Sequence, residues 1–545
     1  MIELRSAYLS FGQQAILTGL DLRIHPGEKL ALIGQNGSGK STLLSVLAQT
    51  QILDQGSVTV RAGWSIGTMP QEFSGYLEDS CLIFLRKITG VYQAEEDLER
   101  SLERLVENTQ QANQDYQDAA DQVERLGVYD FDSRIATVID QVGLGDLDLT
   151  LKLGQISGGQ RHKLALASLL LSKKDCFLLD EPTNNLDQAG LKLLEDFLIN
   201  TKAAIVFVSH DRVLLRKLAN KILEFNQIDN TIQIYNTGYD NYLNSASQER
   251  QREAKLYKQY QSELEQLRGS IQGVKENNLQ INQSGDSDKM ADKARSDRAA
   301  KSQASGLKNL ERRLEDLENN PVPKPFELEM LDLEFIPASR PAENLILAKK
   351  LVIKQGDFKL GPLDFSLNWG QKVVLTGENG VGKSSFIRTI IDRTKPDSGS
   401  LELSDNLSIG YIDQDQTLPD KSATVLENFA LLTQKDQTRG RQYLAKLGFD
   451  DQLAQRPVLD LSPGQRARLL LAGYMVKGVN LLILDEPTNH IDIQTIAVLE
   501  SAVKKFPGSA LIITHDREFI SNIRPDKLIQ VESSKTNSFR ELDQE

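Results

Sequence analysis

In "LLILDEPTNHID", Leu481 to Asp492, an apolar run ends in two acids. An almost identical stretch, "FLLDEPTNNLD", occupies Phe177 to Asp187. A short aliphatic run bounded by turn residues is typical of a buried strand. The two copies therefore predict an α/β fold in which acidic residues stand at the ends of buried strands.

Other motifs also occur twice, and their spacing is constant. Pairs that lie 343 residues apart are Gly34 and Gly377, and Gln71 and Gln414. Pairs that lie 305 residues apart are Ser157 and Ser462, Asp180 and Asp485, and His210 and His515. Two shared offsets indicate a duplicated module. Because the offset falls from 343 to 305, the first copy carries about 38 extra residues between its glutamine and its serine motif.

The extra residues correspond to about 86–127, where leucines such as Leu98, Leu102 and Leu105 recur at helical spacing and predict a helical arm. Between the copies, heptad-like apolar patterns at 256–274 and 307–317 predict an antiparallel helical hairpin. The predicted domains are a first module at 1–243, a hairpin linker at 244–320 and a second module at 321–545.

Composition limits the functional classes. A chain of 545 residues exceeds one compact core. It contains neither an uninterrupted apolar run of about 18 residues nor an N-terminal secretory pattern, so we expect no membrane span. Two cysteines, Cys81 and Cys176, suit a reducing cytoplasm and, with five histidines, leave no structural zinc site. The net charge of −13 argues against nucleic acid contact over the whole surface.

Both "GQNGSGKS" and "GENGVGKS" fit the pattern G-x-x-x-x-G-K-S between an apolar strand and a helix. Glycines in such a loop let backbone N–H groups surround phosphate oxygens, with lysine on the outer phosphates and serine on Mg²⁺. The loop residues predicted to bind ATP are Gly34, Asn36, Gly37, Gly39, Lys40, Ser41, Thr42, Gly377, Asn379, Gly380, Gly382, Lys383, Ser384 and Ser385. The alternative is a glycine-rich turn with a surface lysine.

The strand-end acids and histidines supply the remaining chemistry. Glu181 and Glu486 are predicted general bases that polarise the attacking water; the alternative is that these acids cap the next helix. His210 and His515 are predicted to be catalytic contacts to the γ-phosphate, which the duplication favours over the alternative of satisfied strand-end residues. The predicted magnesium ligands are Ser41, Gln71, Asp180, Ser384, Gln414 and Asp485.

The turns "ISGGQR" and "LSPGQR" each lie 23 residues before the strand-end aspartate. Together with the loops and acids, they resemble ATP-binding cassette domains over nearly the whole of both modules. In that family the signature turn of one module closes over the nucleotide of the other, which implies that Lys40 pairs with Ser462 and Lys383 with Ser157. The turn residues implied to contact ATP are Ser157, Gly158, Gly159, Gln160, Ser462, Gly464 and Gln465.

Two departures from the pattern predict unequal sites. Pro463 stands where the first copy has Gly158, and proline lacks a backbone donor. Phe11 matches the family's adenine-stacking aromatic residue, whereas the second module has Gln355 there, with Phe358 as a candidate replacement.

Tandem cassettes, a helical linker of about seventy residues, an arm and the stretches "EPTNNLD" and "EPTNHID" resemble the ABC-F family. Asn185 stands where histidine is usual in that family. The resemblance implies an Mg²⁺-dependent ATPase that enters the exit-tRNA site of the ribosome, with 23S rRNA and peptidyl-tRNA as partners. It also implies a monomer whose two cassettes pair within the chain, acting as a translation factor or in antibiotic resistance.

The charge of the linker agrees with an RNA partner. Residues 289–313 carry a net +5 in a chain of −13, which leaves −18 on the remainder. The predicted RNA contacts are Lys289, Lys293, Arg295, Arg298 and Lys301; the alternative is that these charges only solvate a helix. Two alternative functional classes are the ATPase component of a transporter with a separate membrane subunit, and a DNA-repair or chromosome-type cassette protein.

Overall fold

The computed structural model describes residues 1–12, 14–184, 186–226, 231–283, 290–322, 343–355, 358–378, 380–434, 437–446, 449, 451–489, 491–532 and 538–542. Residues 1–239 and 328–545 form one compact unit, and residues 240–327 form another. Asn185, Lys289 and Asn379, which the sequence singles out, lie outside the described residues. The predicted domain boundaries at 243/244 and 320/321 remain predictions.

Two sheets make up the first cassette. Its strands β1 to β9 are Ile2–Phe11, Gln14–Ile24, Lys29–Gly34, Gln55–Val60, Ile66–Thr68, Cys176–Asp180, Ala204–Val208, Lys221–Asn226 and Thr231–Tyr235. One sheet is antiparallel in the order β2-β1-β4, and the other has the order β5-β6-β7-β3-β8-β9. Strands β5, β6, β7, β3 and β8 are parallel. Aliphatic strands buried on both faces favour this arrangement.

Helices cover the second of these sheets and form the arm. In the first cassette, helices α1 to α8 are Lys40–Leu47, Cys81–Thr89, Val91–Arg104, Gln110–Leu126, Phe131–Gln141, Gly158–Leu171, Gln188–Asn200 and Arg212–Leu218. The predicted helical arm is confirmed by α3 and α4. The expected inward stripe of α3 is wrong in part, because Leu102 is 48% exposed while Val91 and Ala94 are buried.

The second cassette repeats the first. Its strands β10 to β18 are Asn344–Gln355, Phe358–Asn368, Lys372–Gly377, Ser398–Leu403, Ile409–Ile412, Leu481–Asp485, Ser509–Ile513, Lys527–Glu532 and Ser538–Leu542. They form sheets in the orders β11-β10-β13 and β14-β15-β16-β12-β17-β18, which are the orders of the first copy. The duplication seen in the sequence is therefore confirmed at the level of topology.

The hairpin unit consists of two long helices. These are α9, Tyr239–Gln283, and α10, Met290–Asn319. The remaining helices, α11 to α17, belong to the second cassette and are Lys383–Ile391, Val425–Thr433, Gln437–Lys446, Asp451–Ala454, Pro463–Lys477, Ile493–Lys505 and Arg517–Ile523.

Apolar and polar contacts tie α9 to α10. Leu264, Leu267 and Ile271 are each more than 90% buried. Contacts between the two helices are Arg313 Nη2 to Glu263 Oε1 (2.9 Å), Arg268 Nη2 to Glu318 Oε1 (2.8 Å), and the hydrogen bond that Tyr260 Oη donates to the Leu317 carbonyl (3.3 Å). The predicted pair of packed helices is present. Within the described part of the chain, no helix combines the length and the apolarity that crossing a membrane requires.

Candidate functional site

The two glycine-rich loops have the same backbone conformation. Each follows a central strand, β3 or β12, and opens a helix, α1 or α11. Gly39 and Gly382 precede these helices with φ of 100°, in the left-handed region. A Cβ at Gly39 would lie 2.3 Å from Cγ2 of Ile16, and one at Gly382 would lie 2.6 Å from Cζ of Phe358. Both conformation and space therefore require glycine at these two positions.

The lysine of each loop is buried, so the alternative of a surface lysine is wrong. Lys40 is 6% exposed and Lys383 is 7% exposed. The Nζ atom of Lys40 donates to the carbonyls of Gly34 (2.8 Å) and Gln35 (2.7 Å). Burial lowers the pKa of both lysines, and neighbouring acids oppose this shift. A buried amine surrounded by loop backbone is suited to meet a phosphate anion.

Each loop serine meets the acid that ends a neighbouring strand. Ser41 donates a hydrogen bond to Asp180 at the end of β6, and Ser384 does so to Asp485 at the end of β15. Burial raises the pKa of both aspartates, and these hydrogen bonds oppose that shift. A hydroxyl and a carboxylate in contact fit Mg²⁺, because that ion prefers oxygen ligands. When bound, Mg²⁺ would neutralise charge on the β- and γ-phosphates.

The glutamines predicted as further metal ligands are also near these acids. Gln71 Nε2 donates a hydrogen bond to the backbone carbonyl of Asp180. Gln414 lines the same cavity as Lys383, Ser384 and Asp485. Their roles as metal ligands stay predictions.

The glutamate after each strand-end aspartate has an unusual backbone. Glu181 has φ of 43° and Glu486 has φ of 49°, a region that non-glycine residues seldom adopt. Their N–H groups donate to the carbonyls of Val208 (3.0 Å) and Ile513 (2.9 Å), at the ends of β7 and β16. The same strained conformation in both copies turns each carboxylate toward the histidine that follows the adjacent strand. Strain of this kind is concentrated at functional sites.

The alternative that Asp180, Glu181 and their counterparts cap the next helix is wrong. The side chain of Asp187 caps α7 by accepting from Gly190 N at 2.8 Å. Asp492 caps α16 in the same way, by accepting from Thr495 N at 2.9 Å. The strand-end acids are therefore available for chemistry.

The electrostatics of the two glutamates differ. The Nε2 atom of His210 lies 3.0 Å from Oε1 of Glu181, whereas that of His515 lies 3.4 Å from Oε1 of Glu486. Burial alone would raise the pKa of Glu181, but the charge and hydrogen bond of His210, aided by Lys40, hold it below its usual value. Burial raises the pKa of Glu486 to about 7. Burial and the charge of Lys383 lower the pKa of His515 to about 4, so His515 is neutral at pH 7.

A cavity of about 440 Å³ lies between the two cassettes, next to these glutamates. Glu181, His210 and Asn184 of the first cassette line it together with Lys383 and Glu486 of the second. Its described lining includes no residue of the turn at 157–160. The implied pairing of Lys383 with Ser157, and of Lys40 with Ser462, remains a prediction.

Sequence reasoning missed two acids that act between the cassettes. Asp187 opposes the lowering of the pKa of Lys383, and Asp492 does the same for Lys40. Each helix-capping aspartate thus reaches the lysine of the other cassette electrostatically. The available signal was their offset of 305 residues, which they share with the strand-end acids.

The two signature turns begin their helices with identical hydrogen bonds. Gln160 N donates to Ser157 Oγ, and Gln465 N donates to Ser462 Oγ, both at 3.2 Å. Pro463 is the first residue of α15, a position at which the backbone N–H has no partner within the helix. Proline is therefore accommodated without changing the local backbone, although it removes one donor from the turn.

The aromatic residues differ between the sites. Phe11, at the end of β1, is 53% exposed and presents a ring for stacking. In the second cassette, Phe358 at the start of β11 lies against Gly382 and lines the cavity. Its position supports Phe358 as the replacement for the aromatic residue that the second copy lacks.

Two cassettes with buried loop lysines and strand-end acids define a tandem ATP-binding cassette ATPase. A family model described as "ABC transporter" matches residues 17–184 and 360–489. The chain belongs to the ABC-F family of tandem ATP-binding cassette ATPases, and it is an ATP hydrolase.

Similar proteins span nearly the whole chain. The tylosin resistance ATP-binding protein TlrC of Streptomyces fradiae is 31% identical, over 94% of this chain and 94% of that protein. The energy-dependent translational throttle protein EttA of Haemophilus influenzae is 31% identical, over 93% and 88%. The archaeal ribosome recycling factor aABCE1, solved in complex with the stalk protein aP1, has a TM-score of 0.61 at 17% identity, over 98% of this chain and 89% of that one. That likeness concerns the fold.

Changing both Glu181 and Glu486 to Gln should lower steady-state ATP hydrolysis by roughly 10²–10⁴, the usual contribution of a positioned general base. ATP binding should persist, because the lysines and loop N–H groups that face the phosphates are unchanged. Phosphate release and equilibrium ATP binding measured on the same preparation test both parts. Near-normal turnover in the double variant would contradict the assignment.

The unequal glutamates predict unequal pH profiles. With Glu181→Gln, turnover depends on Glu486, whose raised pKa leaves it protonated, and so inactive as a base, below about pH 7. Turnover should therefore fall roughly tenfold between pH 8 and pH 6. With Glu486→Gln as the matched control, turnover depends on Glu181, whose pKa is lowered, and should change little over that range. Identical profiles would mean that the two environments do not differ during turnover.

Proposed function

We propose that this ATPase acts on the ribosome. Two bound ATP molecules hold the cassettes together, and the closed form enters the exit-tRNA site with the hairpin directed toward the peptidyl-transferase centre. The hairpin contacts 23S rRNA and peptidyl-tRNA there. Hydrolysis removes the γ-phosphate contacts, the cassettes part and the protein leaves. The proposal places the protein in the cytoplasm as a monomer.

The observation that carries the proposal is the helical hairpin between the two cassettes in sequence. Helix α9 has 45 residues and so extends about 65 Å at the usual rise of an α-helix. A hairpin of that length is suited to reach into a large particle. The names of two relatives describe a translational throttle and tylosin resistance, and the first of these names concerns translation.

The charge of the hairpin supports an RNA partner, although one of its cations is already paired within the hairpin. The segment 289–313 carries a net +5 against −18 for the remainder of the chain. Arg313 is already paired with Glu263 of α9, so its charge stabilises the hairpin itself. The contacts proposed for RNA do not include Arg313 and are Lys289, Lys293, Arg295, Arg298 and Lys301. Binding to phosphates releases counterions and makes affinity depend on salt.

Intramolecular pairing of the cassettes is supported by their contacts. Both belong to one compact unit, and Asp187 and Asp492 each act on the lysine of the opposite cassette. ATP shifts the population toward closure only if it binds the closed form more tightly than the open form. Residues from both cassettes around one cavity provide that difference.

Two alternative roles on the ribosome follow from this proposal, that of a translation factor and that of an antibiotic-resistance protein. The sequence of residues 274–288 contains no aromatic residue that could displace a drug directly. Expression in a drug-sensitive host, tested against tylosin and other classes of ribosome-targeting drugs, separates the two. Unchanged susceptibility to every class favours the translation factor.

The protein carrying both Glu181→Gln and Glu486→Gln should remain closed with ATP and co-sediment with ribosomes. When expressed, it should stop growth by blocking translation. Adding Lys40→Ala and Lys383→Ala removes the ligand that drives closure, and this matched control should restore growth. Accumulation of the closed variant in the membrane fraction, with ribosomes unoccupied, would instead support a transporter component.

Reversing the charge of Lys293, Arg295 and Arg298 to Glu should weaken ribosome binding. The slope of log affinity against log salt should fall by roughly 0.7 for each phosphate that the variant no longer neutralises. The matched control is Arg252, Lys255 and Lys258 to Glu, which changes three exposed cations of α9 and the same net charge. Basal ATP hydrolysis should be unchanged in both. Equally weakened binding in the two variants would show that net charge matters and the tip does not.

A further inference from the structure

A buried ion pair joins α8 of the first cassette to α16 of the second cassette. Arg212 begins α8, two residues after His210, and its side chain is 8% exposed. It pairs with Glu500 of α16, whose side chain is also 8% exposed. A second acid, Glu518 of α17, lies 3.5 Å from Nη1 of Arg212. Because it is buried, this ion pair is screened little by salt.

Further polar groups hold the acids of this pair. Asn522 Nδ2 donates to Oε2 of Glu500 at 3.0 Å. Arg216, one turn after Arg212 on α8, donates to Oε1 of Glu518 at 3.2 Å. Glu500 thus has partners from both cassettes and Glu518 has two from the first, which compensates for removing these acids from water.

The internal repeat offers a direct comparison, because every residue of this group has a counterpart 305 positions away. Arg517 matches Arg212, Glu195 matches Glu500, and Lys217 matches Asn522. On this second side Glu195 pairs with Lys217 of its own cassette at 2.5 Å. Among the described residues, no ion pair within 4.0 Å joins Arg517 to Glu195.

The remaining counterparts also break the symmetry. Val213 occupies the position that matches Glu518, and Ser521 the position that matches Arg216. A weaker attraction is common to both sides, since Arg212 acts on Asp516 and Arg517 acts on Asp211. The direct, buried pair is therefore one-sided.

The one-sided pair is connected to the first nucleotide site by α16. Asp492 caps the start of this helix and acts on Lys40. Glu500 lies eight residues later, or about two helical turns. A helix is rigid over that distance, so an anchor at Glu500 also positions Asp492. The anchor on the other side is Arg212, which adjoins His210, and His210 contacts Glu181.

We propose that the Arg212–Glu500 pair is a positioning device that holds α16, and with it Asp492, against the first nucleotide site. The first site, containing Lys40, therefore stays closed longer than the second site, containing Lys383. The inference rests on the ATP hydrolase activity and does not depend on the ribosome as partner. Arg212 and Glu500 position other residues and do not touch the nucleotide.

The test measures the release of a fluorescent ATP analogue from the protein with both Glu181→Gln and Glu486→Gln, in which hydrolysis does not interfere. Release should have two phases. Lys40→Ala should remove the slow phase and Lys383→Ala the fast phase, which assigns each phase to a site. A single phase, or the opposite assignment, would overturn the proposal.

Arg212→Met should then accelerate the slow phase by roughly tenfold and leave the fast phase within about twofold of its original rate. The reason is that the apparent affinity of the first site for the nucleotide follows the fraction of protein in which that site is closed. Arg517→Met is the matched control, and it should change neither phase by more than about twofold. Equal acceleration of both phases by Arg212→Met would indicate a general structural role and would contradict the proposal.

A second variant keeps the test decisive if Arg212→Met folds poorly. Glu500→Gln preserves shape and should accelerate the same phase. Combining it with Arg212→Met should add little, since partners in one interaction are not additive. Arg212→Lys, which keeps the charge, should restore part of the slow release. Fully additive effects would show that the two residues act separately.

Discussion

The interaction between a buried loop lysine and the acids at the ends of neighbouring strands is what both cassettes are organised around. Burial lowers the pKa of Lys40 and raises that of Asp180, so each charge is costly unless the other is near. The parallel sheet brings them together, because the carboxyl ends of β3 and β6 lie at one edge. Phosphate and Mg²⁺ carry the charges that such an arrangement accommodates.

The duplication gives each site the same framework with a different electrostatic balance. Both glutamates that are predicted to act as general bases share a left-handed backbone and a histidine neighbour. His210 is close enough to Glu181 to lower its pKa, while Glu486 is left with a pKa of about 7. The two signature turns contain the same serine–glutamine hydrogen bond, so they do not explain the difference in pKa between the two glutamates. Burial favours a raised pKa at both glutamates, and the difference arises because the charge and hydrogen bond of His210 oppose it at Glu181, whereas Glu486 lies farther from a neutral His515.

The interface between the cassettes is also asymmetric, and its additional contacts lie on the side of the first site. The first site has both the closer histidine–glutamate contact, between His210 and Glu181, and the Arg212–Glu500 pair beside it. At the second site the histidine lies farther from its glutamate, and Glu195 pairs within its own cassette. A tandem ATPase with one tightly held and one loosely held site can couple successive events to the two nucleotides, which identical sites would not distinguish.

The amino-acid pattern alone revealed the repeat, the α/β class of each module, the glycine loops and the strand-end acids. These features are local, since a left-handed turn needs glycine at Gly39 whatever surrounds it. Periodicity also predicted the arm and the hairpin, but it placed Leu102 on the wrong face, because burial depends on the partner of a helix. Only the tertiary structure decided which acids act across the interface and that Arg212 meets Glu500. It also decided that the two glutamates have different pKa values, because a pKa depends on burial and on charges hundreds of residues away in the chain.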